Sequence, residues 1–361
     1  RRELVERGAI FQSTSDTEVI IHLVATSRQP TLIDRLVDAL NQVEGAYTLV
    51  CLTREGVIAC RDPLGIRPLV MGKLGDAVVF ASETVAFDIV GASFTRQVKP
   101  GEMIQASFDG SVTSHMPFAR VPQRPCIFEH VYFSRPDSIF DGRSVYTSRK
   151  AIGVELAREA PVEADIVVPV PDSGVPAAIG FAQQSGIPFE LGIIRSHYVG
   201  RTFIQPSDGA RHAGVRRKHN ANRALVDGKR IVLIDDSIVR GTTSMKIVEI
   251  MRDAGAKEVH FRVASPPTGH GCYYGVDTPE RSKLLAGRMD VEAMRDFIKA
   301  DSLAFVSIDG LYRAVGLAGR NDGSPQYCDA CFTGDYPTRL TDLEDRDRVS
   351  AQLTLPVGKV A

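Results

Sequence analysis

The sequence predicts two fold classes in one chain: an α+β region of mainly antiparallel strands, then an α/β region with a parallel sheet flanked by helices. Three observations carry that expectation. Up to about Arg120, short strand-like runs are separated by turn residues. Beyond Ser148, continuous apolar runs alternate with stretches of helical spacing. Near residues 120 to 126, VPQRPC is Pro-rich and polar, the composition of a linker.

Taken in order, RRELVERGAIF reads as a helix flowing into a strand, as though the chain began inside a domain. TLIDRLVDALNQV has its apolar residues at helical spacing. Strands are expected at AYTLVCLT, GVIACRD, RPLVMG, DAVVFAS, EMIQASF and SVTSHMPF, the first two forming a hairpin around Thr-Arg-Glu-Gly. In the second region ADIVVPV suits a parallel strand buried on both faces. PDSG turns it, and VPAAIGFAQQSG is a helix stopped by Gly186. IPFELGIIR is the next strand and RIVLIDD the third. The helix TTSMKIVEIMRDA, ended by Gly255, leads to a fourth strand, EVHFRVAS. From Asp277 a helix, VEAMRDFIKA, and a short strand, LAFVSI, precede a polar tail. The expected divisions are 1–122, 123–276 and 277–361.

Composition limits the function classes. The 361 residues are 43% hydrophobic and 24% charged, a globular balance rather than a disordered one. Lys and Arg (43) nearly cancel Asp and Glu (44), so no global charge draws the chain to nucleic acid or to an anionic membrane. No run approaches the roughly 18 unbroken apolar residues of a membrane span, and a cytoplasmic location is expected. Six cysteines are too few and too scattered for a secreted disulfide framework. Cys51 and Cys60 lie in apolar strand-like runs and read as core residues.

The strongest chemical signal is IVLIDDSIVRGTTS, Ile231 to Ser244. In an open parallel sheet, ligands bind past the carboxyl ends of the strands, where Asp235 and Asp236 emerge. Gly241 allows close backbone approach, and Thr242, Thr243 and Ser244 open a helix whose N-terminus favours a phosphate. Carboxylates beside a phosphate cradle suit ribose hydroxyls or a bridging Mg2+. A lone Asp-Asp turn with a Thr or Ser cap would be an ordinary helix start, but the fourteen residues together resemble the phosphoribosyl-pyrophosphate (PRPP) motif of phosphoribosyltransferases. PVPDSG places Ser173 and Gly174 at another strand end, where backbone N–H groups could wrap a pyrophosphate. The stretch from Tyr198 to Arg223 carries Arg201, Arg211, Arg216, Arg217, Lys218 and Arg223 with few apolar residues, the pattern of a basic lid closing over PRPP. Cys126, Cys272 and the CxxC of Cys328 and Cys331 could close around zinc or an iron–sulfur cluster, and spacing alone does not choose between them.

Together with FQSTSDTEV, RDPLGIRPL, FASET, VYFSRPDS, VPVPDSGVPAAIGFA, YVGRTFI, RRKHNANR and CDACFTGDYP, these segments resemble the glutamine PRPP amidotransferase (amidophosphoribosyltransferase) family over nearly the whole chain. The resemblance implies the C-terminal part of an N-terminal-nucleophile glutaminase domain followed by a phosphoribosyltransferase domain. It implies that ammonia from glutamine passes to PRPP, giving 5-phosphoribosylamine, glutamate and pyrophosphate, the first step of purine synthesis. By the same resemblance Asp16 would hold the glutamine amino group, and Ser173, Asp235 and Asp236 would ligate Mg2+. PRPP would touch Asp235, Asp236, Ser237, Arg240, Gly241, Thr242, Thr243, Ser244, Ser173, Gly174, Arg201 and Lys218. In the cluster-bearing branch a 4Fe-4S cluster would sit on Cys126, Cys272, Cys328 and Cys331. Purine nucleotide inhibitors and a dimer or tetramer are also implied. The family's N-terminal catalytic Cys, whose own amino group serves as base, has no counterpart, since the sequence starts with Arg1. The expectation is therefore an N-terminally incomplete enzyme that uses ammonia alone. Two rivals share the PRPP motif: a purine-salvage phosphoribosyltransferase, and a PRPP-binding regulator without turnover.

Overall fold

The computed structural model describes residues 1–196 and 219–340. The chain divides into two compact units, Arg1–Gly45 with Tyr336–Ala361, and Ala46–Asp335.

The first unit holds α1 (Arg2–Glu6), α2 (Thr17–Thr26) and α3 (Leu32–Leu40). The Thr31 hydroxyl accepts from the Asp34 N–H at 3.1 Å and caps α3. Leu36, Ala39 and Leu40 form its buried stripe. The strand expected at Ala9–Phe11 does not form. Phe11 lies 4.5 Å from the His22 ring and under the Arg1 guanidinium, and Glu18 accepts from the N–H groups of Gln12 and Ser13. Side chains rather than a neighbouring strand satisfy this segment.

The second unit opens with antiparallel strands: β1 (Thr48–Leu52), β2 (Gly56–Arg61), β3 (Val70–Leu74) and β4 (Ala77–Ala81). After α4 (Val85–Val90) come β5 (Ser93–Gln97), β6 (Met103–Ser107) and β7 (Val112–His115). They pair as β1-β2-β6-β7 and β4-β3-β5. Ala59, Leu69, Met71, Val98 and Ile104 form one core with Val78 and Phe80, so residues of both sheets share it. Cys60 is buried in β2, as its apolar run predicts, whereas Cys51 is only half-buried because β1 is an edge strand.

The Pro-rich stretch is held by backbone bonds. Arg124 N–H donates to Leu64 O at 2.8 Å and Cys126 N–H to Ile66 O at 3.0 Å. A π-helical turn, Glu129–Phe133, and a ribbon of β8 (Ile139–Phe140) with β9 (Arg143–Ser144) lead into α5 (Val145–Glu159).

The parallel sheet has the order β10-β13-β14-β15, from β10 (Ile166–Pro169), β13 (Arg230–Asp235), β14 (Glu258–Val263) and β15 (Ser302–Phe305). Between β10 and β13 the chain forms α6 (Val175–Ser185), β11 (Ile193–Arg195), β12 (His219–Ala221) and α7 (Arg223–Val226). The later helices are α8 (Thr242–Asp253), α9 (Val291–Ile298), α10 (Ile308–Ala314) and α11 (Ala330–Thr333). Alternate strand residues Ile166, Val168, Ile231, Leu233, Val259 and Phe261 pack with Ile247 and Met251 of α8 and Met294 and Ile298 of α9. α6 packs on β10 and β13, with α5 against α6. Both expected fold classes are thus present, and LAFVSI supplies the edge strand of the parallel sheet.

IPFELGIIR departs from expectation. Only Phe189 bridges to β10, at Val167, after which β11 pairs antiparallel with β12. Gly192 fits tightly against Val168, where an added Cβ would lie 2.7 Å from its side chain, as the chain leaves the sheet. No described helix is long and apolar enough to cross a membrane.

Candidate functional site

The ends of β10 and β13 meet at one place. Val170 N–H donates to Ile234 O at 2.8 Å, and Gly174 N–H donates back to Val170 O at 3.0 Å, closing the turn over Pro171, Asp172 and Ser173. The Pro171–Asp172 peptide is cis. A Cβ on Gly174 would lie 2.3 Å from Ile234 O, so only glycine lets this turn rest on the end of β13. β13 then delivers Asp235 and Asp236, both buried.

Gly241 begins α8 at φ +75°, and a Cβ there would meet the Leu285 side chain at 2.6 Å. No side chain caps α8, which leaves its first N–H groups for a ligand. Thr242 is exposed, Thr243 half-buried, Ser244 buried and Arg240 exposed. One end of the parallel sheet therefore gathers Ser173, Gly174, Asp235, Asp236, Ser237 and the start of α8.

The two carboxylates are electrostatically poised. Burial and the charge of Asp236 hold Asp235 well above the ordinary carboxylate range. Burial also raises Asp236, opposed by hydrogen bonds from the Ser173 and Ser237 hydroxyls and by the charge of Arg149. The Ser237 hydroxyl donates to Asp236 Oδ1 at 2.6 Å, and the Asp236 N–H to Asp235 Oδ1 at 2.9 Å. Two neighbouring anions with a hydroxyl beside them are oxygen ligands suited to a hard divalent cation.

Arg149 is the residue sequence reasoning missed. It is buried in α5, and its guanidinium donates to His130 O at 3.1 Å and Ser134 O at 2.5 Å. Nothing in the run SVYTSRKAIGVELARE marks it out; the neighbouring VYFSRPDS, whose Ser134 carbonyl it holds, was the usable signal. Among the lid residues, Arg223 donates to Asp253 O at 2.8 Å and so stays on α7. Arg201, Arg211, Arg216, Arg217 and Lys218 lie outside the described residues. The chain reaches them from β11 and returns on β12, and Arg195 of β11 is ion-paired to Asp172 in the Ser173 turn. Asp16 sits exposed at the start of α2, in the other unit.

The four spaced cysteines come from three segments. Cys126 and Cys328 form a parallel bridge, with Ile127 N–H donating to Cys328 O at 3.1 Å. Cys331 O accepts from Gly269 and His270 N–H, both at 3.1 Å, just before Cys272. Burial pushes the Cys328 thiol up to about 12, with Cys272 adding to the rise. Burial raises Cys126 and Cys331 as well, with further contributions from the other thiols of the four. Among the described residues no group of three or more His, Cys, Asp or Glu side chains has the spacing of a closed metal site.

Comparisons with known proteins match two domain families. A glutamine amidotransferase domain family matches residues 1–88 and a phosphoribosyl transferase domain family residues 137–273. Amidophosphoribosyltransferase of Rhizobium etli is 59% identical over 95% of this chain, which spans 70% of that protein. Chloroplastic amidophosphoribosyltransferase 1 of Arabidopsis thaliana is 52% identical over 95% of the chain, which spans 60% of it. The structure of glutamine PRPP amidotransferase from B. subtilis complexed with ADP and GMP superposes with a TM-score of 0.86 at 48% identity, covering 94% of this chain and 74% of that one.

Proposed function

The chain belongs to the amidophosphoribosyltransferases, the pentosyltransferases of the first step of purine biosynthesis, and from that premise we propose where its residues act. PRPP lies across the ends of β10 and β13. The α8 N-terminus, with Thr242, Thr243 and Ser244, takes the ribose phosphate, and Arg240 and Ser237 flank it. Asp235 and Asp236 face the ribose hydroxyls, and the Ser173–Gly174 turn faces the pyrophosphate. Arg201 and Lys218, outside the described residues, are proposed as further PRPP contacts. The carrying observation is the meeting of the Ser173 turn with the Asp235–Asp236 pair at one strand end.

Ammonia attacks C1 of the ribose, the bond from C1 to the pyrophosphate oxygen breaks, and the nitrogen sheds a proton to solvent. The products are 5-phosphoribosylamine and pyrophosphate. Little covalent help is needed; the residues hold the two reactants in line and exclude water. Ser173, Asp235 and Asp236 would hold Mg2+, which when bound neutralises pyrophosphate oxygens. Asp16, in the amidotransferase region, is proposed to hold the amino group of glutamine, the family's ammonia donor.

The all-thiol set of Cys126, Cys272, Cys328 and Cys331 would hold a 4Fe-4S cluster, a reading supported by its donor chemistry and by its convergence from three segments. Purine nucleotides are proposed as inhibitors and a homo-oligomer as the working form; the B. subtilis relative is complexed with ADP and GMP.

Pyrophosphate release measured while PRPP, Mg2+ and ammonium are titrated tests the reading of the PRPP site. Asp235→Asn and Asp236→Asn should each lower kcat/KM by roughly a hundredfold, the scale of losing one preorganised electrostatic contact. PRPP binding with no release under any nitrogen donor would instead favour a regulator, and a preference for a nucleobase a salvage enzyme.

A further inference from the structure

Asp329, the residue between the Cys328 and Ala330 of the CxxC, is completely buried. Its carboxylate accepts from four donors: Tyr312 Oη at 2.8 Å, Arg320 Nε at 2.7 Å, Thr333 Oγ1 at 2.9 Å and Arg320 Nη2 at 3.3 Å. Its backbone carbonyl accepts from Phe332 and Thr333 at 2.8 and 3.1 Å. Arg320 reaches on to Asp335 Oδ2 at 2.7 Å, and that oxygen also pairs with Arg124 at 3.1 Å, two residues before Cys126. One continuous set of charged bonds therefore runs from between the two CxxC thiols to the segment carrying Cys126.

We propose that the buried Arg320–Asp329 pair, with Tyr312 and Asp335, is the positioning element of the cysteine centre, presetting Cys328 and Cys331 against Cys126 before any metal arrives. A buried ion pair is seldom the cheapest way to stabilise a fold, and its best-attested use is to fix one arrangement among several. Here every oxygen of the pair is satisfied, and the loop it fixes carries no other large buried side chain than Tyr327. The inference rests on the reading of the four cysteines as a metal centre, but the ordering of the loop can be measured without metal.

Asp329→Ala would leave the donors of Tyr312, Arg320 and Thr333 without their shared acceptor, so the test uses Tyr312→Phe and Arg320→Lys, which each remove part of the donor set. Chain purified anaerobically is assayed for bound metal and pulsed with iodoacetamide, and alkylation of Cys328 and Cys331 is followed by mass spectrometry against core Cys60. Both variants should raise alkylation of Cys328 and Cys331 about tenfold, the equivalent of one buried charged hydrogen bond. Cys60 should stay protected, and metal per chain should fall. Unchanged protection of Cys328 and Cys331, or exposure of Cys60 in step with them, overturns the proposal. A wild-type chain without metal that still shows the contrast removes the cluster reading and leaves the positioning role standing.

Discussion

A carboxyl group buried without a counter-ion survives by holding its proton. Asp62, just past the end of β2, is fully buried; Oδ1 accepts from Ile66 N–H at 3.3 Å and Oδ2 has no partner. Neighbouring Arg61 directs its guanidinium at the carbonyls of Arg67, Val98 and Gly65 instead. Burial lifts Asp62 from an ordinary 3.8 to about 6. Between those values the folded chain holds a proton the unfolded chain has lost, so stability falls as pH rises through that window, by about 3 kcal/mol. His130 does the opposite: burial among Phe140 and Tyr327 lowers it from 6.5 to about 4, so its stability contribution is gained as pH rises from about 4 to 6.5. The two nearly cancel in the wild type. Asp62→Asn should expose the histidine's rise, so that urea unfolding of the variant gains about 3 kcal/mol between pH 4 and 6.5. A stability profile parallel to the wild type would contradict this assignment.

Among elements, α5 and α6 make the closest approach. A Cβ on Gly153 would lie 1.9 Å from Ala177 O, and one on Gly180 1.9 Å from Lys150 O, so the two backbones touch at both glycines. Gly153→Ala should cost about 1–3 kcal/mol through forced separation, read as a lower urea midpoint, and retained stability would show that the helices slide apart freely. α5 also marks the limit of what the sequence discloses. β10 and β13 announce themselves as unbroken Ile, Val and Leu runs because both faces are covered. α5 buries Val145, Ile152 and Leu156 at helical spacing, but Ser148, Arg149 and Gly153 lie between them on the same buried face, so its apolar period is interrupted by polar or minimal residues. IPFELGIIR has the apolar content of a sheet strand, but its ladder partner is β12 rather than the parallel sheet.

For the whole molecule, the site residues were legible where chemistry is local: the DD turn, the glycine start of α8 and the CxxC each lie within a few residues. Arg149 and the Asp329–Arg320–Asp335–Arg124 set were not, because their meaning depends on bonds between distant segments. Removing metal from the anaerobic protein with a chelator should lower the thermal midpoint of the unit Ala46–Asp335 as one transition, since the cysteines join its beginning, middle and end. An unchanged midpoint after verified metal loss would count against a metal that supports folding. The bridge between Cys126 and Cys328 also sets an order of assembly on the ribosome. Synthesis runs at roughly 5–20 residues per second, so Cys126 waits about 10 to 40 s for a partner strand translated some two hundred residues later. Throughout that interval the RDPLGIRPL edge it pairs with has the Cys126 segment but not the C-terminal one, and the nascent chain depends on its last segment to complete what its first sheets began.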